Sequence, residues 1–593
     1  MKSLSYLNKY FYKYKWSLLL GLVFIVLNNY FGAKMPVVFN EALDTLQNPK
    51  TTVAVSFWQN PVLHLALIFI GFSLLSAFFL FLTRQMIIVV SRKIEYDLKN
   101  EIYAKYQELQ FDFYKDQRTG DLMNRISEDV SQVRMYLGPG VMYTVNLIAL
   151  FPLVLFQMMW LNAELTLYVL IPLPIMAFLI YLVSSKMNAL GKEVQQEQSK
   201  LSTIAQETFS GMRVIKAYRQ EDHTNKLFEK SSNEYLRRQM RLVRVNNLFM
   251  PTIMLLIGAS SMLSVFIGGS MVLNGGIKDA AIIVTFMMFI YKLTWPFASV
   301  GWVTSIIQRA AASQSRINDF LKTEPTIRTN VGEKVQSFDT IKFDDVSFRY
   351  NPELPDTLKN ISFELQKGQV LGIIGRTGSG KSTLLKLLVR QTDPTQGKIL
   401  IDKKDLRSLD LNTYRSQSAV VPQDVFLFSD TIRNNILFGT DQENVNDSEI
   451  ERVAEDAHVL HNVKGFPDQF DTLLGERGVN LSGGQKQRVS IARALIRKPK
   501  LLVLDDCLSA VDTETEEIIL SKLDRYSREF DTTVVIVSHR ISSIRNADHI
   551  LVLEEGKIVE QGTKEDLLKK NGVFAEITAQ QLLEDDSISG FEE

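Results

Sequence analysis

A glycine-rich loop at residues 375–383 has the residue types needed to hold phosphate groups. It follows the strand-like run 370–374 and precedes the helical run 384–389. Glycines let the backbone N–H groups approach phosphate oxygens closely, and a helix N-terminus adds partial positive charge. In this pattern Lys381 reaches the β- and γ-phosphates and the Ser382 hydroxyl joins a Mg²⁺ ion. The residues predicted to contact the nucleotide here are Gly375, Arg376, Thr377, Gly378, Ser379, Gly380, Lys381, Ser382 and Thr383.

Two carboxylates follow another apolar run, 501–504. A buried strand that ends in an aspartate is the arrangement that holds Mg²⁺ opposite the phosphate-loop hydroxyl, so Asp505 and Ser382 are predicted metal ligands. Asp506 follows at once, where a general base or a water-orienting carboxylate is needed. We therefore predict Asp506 to be catalytic.

Three further polar or aromatic residues lie at the ends of strand-like runs. His539 follows the run 534–538 and is predicted to be a catalytic residue that contacts the γ-phosphate, because ligands collect at the carboxyl ends of parallel strands. Gln423 follows the run 419–422 and is predicted to complete the metal shell or to sense it. Tyr350 ends the run 341–350, and its ring is suited to stacking on a purine.

A second helix start, at residues 481–485, also has the character of an anion site. Its backbone N–H groups and serine hydroxyl are available to a nucleotide, but it cannot serve the phosphate already held by the first loop. Two such helix starts in one chain predict head-to-tail pairing of two chains, each covering the nucleotide of the other. The residues concerned are Ser482, Gly483, Gly484 and Gln485.

Composition divides the 593-residue chain near residue 320. The first half holds long apolar runs, whereas the second half has the pattern of a water-soluble α/β protein. Lys+Arg and Asp+Glu are equal at 66 each, so the charge gives no indication of nucleic acid binding. The single cysteine, Cys507, excludes an internal disulfide and a multi-cysteine metal site, and we expect it to be buried.

The first half contains six runs long enough to cross a bilayer. The short connections contain few basic residues, chiefly Lys50 and Lys278, whereas the N-terminus and the two long connections are rich in them. The positive-inside tendency therefore places the N-terminus, both long connections and the second half of the chain in the cytosol. The runs lie near 16–39, 61–83, 137–160, 164–184, 248–273 and 281–307.

The long connections, 84–136 and 185–247, have helical apolar spacing with a break near the middle of each, at 111–120 and at 210–211. We expect the membrane helices to continue past the bilayer, turn and return. We expect a membrane domain at 1–320, a linker at 321–340, a nucleotide domain at 341–580 and an acidic tail at 581–593, of which residues 584–593 are expected to be disordered.

Taken together, these residues resemble the ATP-binding cassette (ABC) superfamily, and nearly the whole chain resembles an exporter-type half-transporter. The resemblance identifies Tyr350 as the A-loop, 375–383 as Walker A, Gln423 as the Q-loop, 481–485 as the signature, 501–505 as Walker B and His539 as the switch histidine. Residues 475–478 resemble the exporter X-loop and 509–512, including Ala510, the D-loop. Parts of 113–125 and 207–217 resemble the two coupling regions.

The resemblance implies a six-helix membrane bundle followed by a P-loop ATPase domain that uses ATP and Mg²⁺. It also implies a dimer in the lipid bilayer of a bacterial inner membrane. The dimer is domain-swapped, because the second coupling helix of each chain docks on the nucleotide domain of its partner. One position departs from the family pattern: Asp506 replaces the usual glutamate. Such a substitution occurs in the slow site of heterodimeric exporters, so we favour a heterodimer, with a homodimer as the alternative.

The function implied is ATP-driven export or flipping of a hydrophobic or amphipathic drug or lipid. The alternative is an ATP-gated channel or regulatory membrane protein that hydrolyses little ATP at its own site. Six spans exclude a soluble ABC ATPase acting on ribosomes or DNA, and residues 475–478 disfavour an importer. The main charge within the spans is expected to be Lys34, an intramembrane candidate for function.

Overall fold

The computed structural model describes residues 2–47, 60–277, 279–327, 332–442, 444–509 and 511–589. Lys50, Lys278, Ala510 and the last four residues of the predicted tail lie outside these ranges. The chain forms two compact units. Unit 1 comprises Met1–Gln107 and Gln117–Thr323, and unit 2 comprises Glu108–Asp116 and Glu324–Glu593.

Unit 1 is helical. It begins with a 3₁₀ turn at Lys2–Leu7, and its first helices are α1 (Asn8–Lys13), α2 (Lys15–Gln47) and α3 (Pro61–Glu108). The last residue of α3 and the short helix α4 (Phe111–Asp116) belong to unit 2. The remaining helices of unit 1 are α5 (Thr119–Asn124), α6 (Val130–Met135), α7 (Val141–Leu161), α8 (Ala163–Leu170), α9 (Pro172–Ser210), α10 (Met212–Ala217), α11 (Glu221–Asn246), α12 (Phe249–Leu273) and α13 (Ala281–Leu321). Two π-helical turns, Arg125–Asp129 and Tyr136–Gly140, join α5, α6 and α7 into one continuous rod.

The described part of the chain contains six helical segments long and apolar enough to cross a membrane, as predicted. Five of them have 41 residues or more, well beyond the 20 or so residues that a bilayer requires. The predicted breaks are present as well: α3 ends at Glu108 and a short α4 follows, and α9 ends at Ser210 before the short α10. The long connections are therefore helical extensions rather than loops.

The charges within the spans differ from the expectation. Lys34 lies on α2 with its ammonium 6.0 Å from the centre of the Tyr30 ring. However, α13 carries a second lysine, Lys292, which is half-buried and donates a hydrogen bond to the carbonyl oxygen of Gly32. The prediction that Lys34 is the main intramembrane charge was therefore incomplete. The run 281–307 also contains Lys292, and only the packing of the helices shows that this lysine is held inside the bundle.

Unit 2 contains two sheets. The first has the order β2-β1-β4-β5 and is antiparallel, and the second has the order β10-β9-β3-β8-β7-β6. In the second sheet β9, β3, β8, β7 and β6 are parallel and β10 pairs antiparallel with β9. The strands are β1 (Thr340–Phe348), β2 (Leu358–Gln366), β3 (Val370–Gly375), β4 (Gln396–Ile401), β5 (Lys404–Asp405), β6 (Ser418–Val421), β7 (Leu501–Asp505), β8 (Thr533–Val537), β9 (His549–Glu554) and β10 (Lys557–Gly562).

Helices cover the parallel sheet, and β3, β7 and β8 are buried almost throughout. Buried parallel strands are continuous apolar runs, which is why these three were readable from the sequence. Cys507 follows β7 and is buried in the core, as predicted. The helices are α14 (Lys381–Leu388), α15 (Leu411–Ser416), α16 (Ile432–Leu437), α17 (Asp447–Asp456), α18 (Leu460–Lys464), α19 (Gly483–Leu495), α20 (Thr513–Phe530), α21 (Lys564–Lys569) and α22 (Val573–Ser589).

Two segments differ from the sequence-based expectations. Within the predicted linker, Val335 and Phe338 are buried in the core of unit 2, and the Phe338 ring stacks on Tyr414 at 5.3 Å. The tail is helical where disorder was expected to begin, at residue 584, because α22 continues to Ser589. Residues 575–583 are mostly good helix formers, and α22 is held at its beginning by Phe574, which is fully buried.

Candidate functional site

The glycine-rich loop joins β3 to α14, as the sequence predicts. Gly380 has a φ of +102°, and a Cβ there would lie 2.7 Å from Leu358 Cδ2, so the loop requires glycine at this position. The Lys381 ammonium curls back and donates to the carbonyl oxygens of Gly375 (2.7 Å) and Arg376 (3.0 Å). Burial lowers the pKa of Lys381 below its usual value, although Asp506 and Asp505 partly oppose the shift. A phosphate anion at the loop would restore the preference of Lys381 for the charged form.

Ser382 and Asp505 face each other across the end of β7. The Ser382 hydroxyl donates to Asp505 Oδ1 at 3.4 Å, and burial raises the pKa of the Asp505 carboxyl. Oxygen ligands from a hydroxyl and a carboxylate are those that Mg²⁺ prefers. The pair therefore fits a Mg²⁺ ion, and the cost of burying the Asp505 charge gives a physical reason for a cation there.

Asp506 has the densest set of contacts in the site. Its Oδ1 lies 2.8 Å from His539 Nδ1, and its Oδ2 accepts from Gln423 Nε2 at 3.2 Å. Its φ is +47°, in the left-handed region that aspartate tolerates better than most residues. The Asp506 amide N–H donates to the Val537 carbonyl oxygen at 2.8 Å, which fixes this turn to the end of β8. The predicted catalytic residues Asp506 and His539, and the predicted metal ligand Gln423, are therefore in direct contact.

Tyr350 lies just after β1 and is exposed by 43%. Its hydroxyl is hydrogen-bonded with Thr383 Oγ1 at 3.0 Å, and its ring packs edge-on against Phe348. The Lys115 ammonium, from α4, lies 4.5 Å from the ring centre. These contacts hold the ring beside the phosphate loop and leave much of it accessible, as stacking on adenine requires.

A cavity of ≈ 320 Å³ opens at the carboxyl ends of β3, β7 and β8. Most of the predicted phosphate, metal and catalytic residues line it together, whereas Tyr350, Gly375, Arg376 and Ser379 contribute from its margin or from behind the loop. Among the described residues, those that line it are Thr357, Thr377, Gly378, Gly380, Lys381, Ser382, Thr383, Gln423, Asp505, Asp506, Val537 and His539.

The four predicted residues of the second helix start do not line this cavity. Ser482 is the N-cap of α19: its hydroxyl oxygen accepts from the Gln485 amide at 3.3 Å, and Gln485 Oε1 accepts from the Ser482 amide at 3.0 Å. Ser482 and Gly483 are exposed. Because the Ser482 hydroxyl acts as an acceptor in this cap, its own hydrogen remains free to donate to a ligand.

One residue that the sequence reasoning missed supports the site from behind. Gln581, on α22, donates from Nε2 to the His539 carbonyl oxygen at 2.6 Å, and its Oε1 accepts from the Ile541 amide at 2.9 Å. It therefore brackets the turn that carries His539. Gln581 lies at the start of the predicted tail, and no local pattern marks it, because its partners are about 40 residues away.

The arrangement combines an ammonium, a hydroxyl–carboxylate pair and a second carboxylate that contacts a histidine. An ammonium and backbone N–H groups suit phosphate oxygens, and the oxygen pair suits Mg²⁺. A carboxylate in the position of Asp506 is suited to orienting a water molecule toward the terminal phosphate. The geometry thus supports binding and hydrolysis of a nucleoside triphosphate.

Comparisons with known families match both halves of the chain. The family described as "ABC transporter transmembrane region" matches residues 18–297, and the family described as "ABC transporter" matches residues 358–509. Together the two matches cover more than half of the sequence.

Similar curated proteins match this chain over most of both sequences. The chain is 37% identical over 79% of its length to the "Probable multidrug resistance ABC transporter ATP-binding/permease protein YheI" of Bacillus subtilis, of which 80% is covered. It is 36% identical to the "Multidrug resistance-like ATP-binding protein MdlA" of Escherichia coli, over 84% of both proteins. It is 31% identical to the "ATP-dependent lipid A-core flippase" of Photobacterium profundum, over 82% of this chain and 83% of that one.

A solved structure extends the likeness to the fold. The "Structure of a bacterial Atm1-family ABC exporter with ATP bound" matches with a TM-score of 0.76 and 26% identity, covering 97% of this chain and 98% of the other. The match includes the six long apolar helices and the α/β unit that follows them. The chain therefore belongs to the ABC transporter family, as a multi-pass membrane half-transporter of exporter type whose membrane domain is fused to its ATPase domain.

Proposed function

We propose that this chain is one half of a dimeric exporter that uses ATP hydrolysis to move a hydrophobic or amphipathic molecule, a drug or a lipid, across the membrane. The observation that carries the proposal is the cavity that brings Lys381, Ser382, Asp505, Asp506 and His539 together in a chain with six membrane-spanning helices. The relatives named as multidrug and lipid transporters support the cargo class.

At the nucleotide, each residue has a distinct role. Lys381 and the loop amides hold the β- and γ-phosphates, and Tyr350 stacks on the adenine. Ser382, Asp505 and Gln423 would hold Mg²⁺, which neutralises the charge that develops on the phosphates. Asp506 orients the attacking water, and His539, free at Nε2 because Nδ1 faces Asp506, contacts the γ-phosphate.

The second subunit supplies the rest of the site. Ser482 and Gly483 are exposed on the end of α19 and do not line this chain's cavity, so they are available to cover the nucleotide of a partner. The coupling segment at α10 likewise exposes large side chains: Phe209 is 75%, Val214 61% and Tyr218 74% exposed. Exposed apolar clusters of this kind are typical of protein interfaces. ATP drives the cycle because it binds the closed pair of nucleotide domains more tightly than the open pair.

Asp506 favours a heterodimer. An aspartate carboxylate is set back by roughly 1 Å relative to a glutamate, and a misplacement of this size costs about a hundredfold in rate. A partner with a glutamate at this position would hydrolyse ATP under the exposed Ser482 turn of this chain. A homodimer in which Asp506 hydrolyses slowly is the alternative, and the contacts of Asp506 with Gln423 and His539 are compatible with it.

The decisive experiment measures ATP hydrolysis by the purified assembly in lipid nanodiscs, for the chain alone and with its co-expressed genomic neighbours. We expect Lys381→Ala to abolish the activity of this chain's own site, and the exposed Lys569→Ala to leave it unchanged. In the chain purified alone, where no partner site contributes, full activity in Lys381→Ala would contradict the assignment of the phosphate loop.

A crosslinking experiment tests the shared site. In a homodimer, Ser482→Cys and Thr377→Cys, both at exposed positions, are expected to form an intersubunit disulfide when ATP is bound. In a heterodimer each is expected to do so with the matching position of the partner. Failure of both pairs in every nucleotide state would overturn the dimer proposal. Substrate flux down its gradient in Lys381→Ala, without ATP turnover, would instead favour the alternative of an ATP-gated channel.

A further inference from the structure

The membrane spans contain an excess of positive charge. Over the six predicted spans the sequence has two lysines, Lys34 and Lys292, and a single acidic residue, Glu164. Glu164 is exposed in the first turn of α8. Among the described residues, no carboxylate lies within ion-pair distance of either lysine, although cations within the membrane ordinarily pair or reach water.

Lys292 lies deep in the span. It is about 16 Å along the axis of α13 from Ala281, at about 1.5 Å per residue, which is near the middle of a hydrocarbon core about 30 Å thick. It is half-buried, so that part of its side chain stays accessible. A cation at this depth without a counter-ion is costly, and a bound anion would remove much of that cost.

Among the described residues, Lys292 has one acceptor, a backbone oxygen that its own helix leaves without a donor. Lys292 Nζ donates to the carbonyl oxygen of Gly32 on α2. In a regular helix this oxygen accepts from the residue four positions later, but that residue is Pro36, which has no N–H. Gly32 also makes room for the contact, since a Cβ at this position would lie 2.8 Å from Lys292 Nζ. The contact holds the ammonium in place and, as the only hydrogen bond described for it, leaves two of its three N–H groups for another acceptor.

Two polar side chains near Gly32, Asn29 on α2 and Ser76 on α3, carry donors as well. Asn29, one turn before Gly32 on the same helix face, is 4% exposed, and its Nδ2 has no hydrogen-bond partner among the described residues. On the other side, the Ser76 hydroxyl lies 3.6 Å from the position of a Gly32 Cβ and donates to Asn28 Oδ1 at 2.7 Å. The unpaired Asn29 amide and the Lys292 ammonium, with no acid within ion-pair distance among the described residues, form a site for an acceptor-rich anion.

We propose that Lys292, fixed by the Gly32 carbonyl and flanked by Asn29, binds the anionic head group of the transported amphipath, a phosphate or carboxylate attached to an apolar tail. This inference rests on the proposed function and narrows its cargo to anionic amphipaths. The apolar faces of the spans accommodate the tail, and the ammonium selects the head group by charge.

The test is equilibrium binding of two probes with the same tail and opposite head-group charge, dodecyl phosphate and dodecyl trimethylammonium. Binding is measured without nucleotide to the assembly in phosphatidylcholine nanodiscs, with empty nanodiscs as background. We expect preference for dodecyl phosphate in the wild type and in Lys292→Arg. In Lys292→Gln, which keeps an N–H donor but loses the charge, we expect roughly tenfold to hundredfold weaker binding, the loss of one charge-assisted hydrogen bond.

A second substitution separates recognition from a purely structural role. Pro36→Ala restores the amide N–H that the Gly32 carbonyl lacks, so it makes the Lys292 contact unnecessary for the helix. We expect the double variant Pro36→Ala/Lys292→Gln to bind dodecyl phosphate as weakly as Lys292→Gln. Recovery of wild-type binding in the double variant would overturn the proposal and leave Lys292 as a cap for α2.

Equal binding of the two probes to the wild type would also overturn it. ATP hydrolysis, measured on the same samples, reports separately on the proposed function. Loss of probe selectivity with intact, Lys381-dependent hydrolysis refutes the anion site alone, whereas selective binding without any hydrolysis supports the site and refutes the exporter.

Discussion

Replacing Asp506 by glutamate tests whether the short carboxylate limits hydrolysis at this chain's phosphate loop. The Asp506 carboxylate lies 2.8 Å from His539 Nδ1 and 3.2 Å from Gln423 Nε2, at one side of a cavity of ≈ 320 Å³. One added methylene moves the carboxylate toward the cavity by roughly 1 Å, and a displacement of this size changes a rate by about a hundredfold. We therefore expect Asp506→Glu to raise ATP hydrolysis by on the order of a hundredfold.

The same substitution has a cost in stability. Residue 506 has a φ of +47°, which aspartate adopts more readily than glutamate. The left-handed region costs about 1 kcal/mol for a longer side chain, which corresponds to a decrease of roughly 2–4 °C in the melting temperature of a domain of this size. A faster but less stable variant would match both expectations.

The assay is phosphate release at saturating MgATP in nanodiscs, with Asp506→Asn as the baseline for hydrolysis at any other site in the assembly. The activity of this chain's own site is the rate above that baseline. Equal rates for the wild type, Asp506→Glu and Asp506→Asn would refute the reasoning, because they would show that residue 506 does not control turnover.

Three further predictions follow from other contacts. Gln581→Ala removes both hydrogen bonds that bracket the turn of His539, and we expect about tenfold slower hydrolysis with little change in KM. The control Gln580→Ala, on the exposed side of α22, is expected to have no effect. An unchanged rate in Gln581→Ala would contradict this positioning role. Tyr350→Ala is expected to weaken ATP binding roughly tenfold, measured with a fluorescent ATP analogue, while Tyr350→Phe retains it because the ring remains; equal weakening in both would assign the effect to the hydroxyl contact with Thr383. Because burial raises the pKa of Asp505, protonation removes this Mg²⁺ ligand at a higher pH than for an exposed aspartate. Mg²⁺-dependent ATP binding should therefore weaken as the pH falls through that raised pKa. A wild-type pH profile identical to that of Asp505→Asn would contradict this prediction.

The elements that the sequence predicted well are those whose signal is local. The six spans, the strands β3 and β7 and the phosphate loop each have a pattern contained within a short stretch of chain. The position of His539 at the same edge of the sheet as Asp506 agrees with the rule that ligands collect at the carboxyl ends of parallel strands. The spacing of residues was enough in these cases, because backbone geometry alone places them.

The features that were missed depend on partners distant in the sequence. Lys292 and Gly32 are 260 residues apart, and neither shows by its neighbours that Pro36 leaves a carbonyl to be satisfied. Phe338 resembled a linker residue because the ring on which it packs, Tyr414, lies on another element. Gln581 was assigned only to the acidic tail, and its fixed position comes from the turn that it contacts.

The cap of α19 bears on how tightly two subunits can associate. Since the reciprocal bonds between Ser482 and Gln485 already fix the turn, its amides and hydroxyl are ordered before a second subunit arrives. Little conformational entropy is then lost at this point when the nucleotide is enclosed, so more of the contact energy is available for domain closure. Disrupting the cap through Gln485 alone would therefore loosen closure without removing any atom that meets a phosphate.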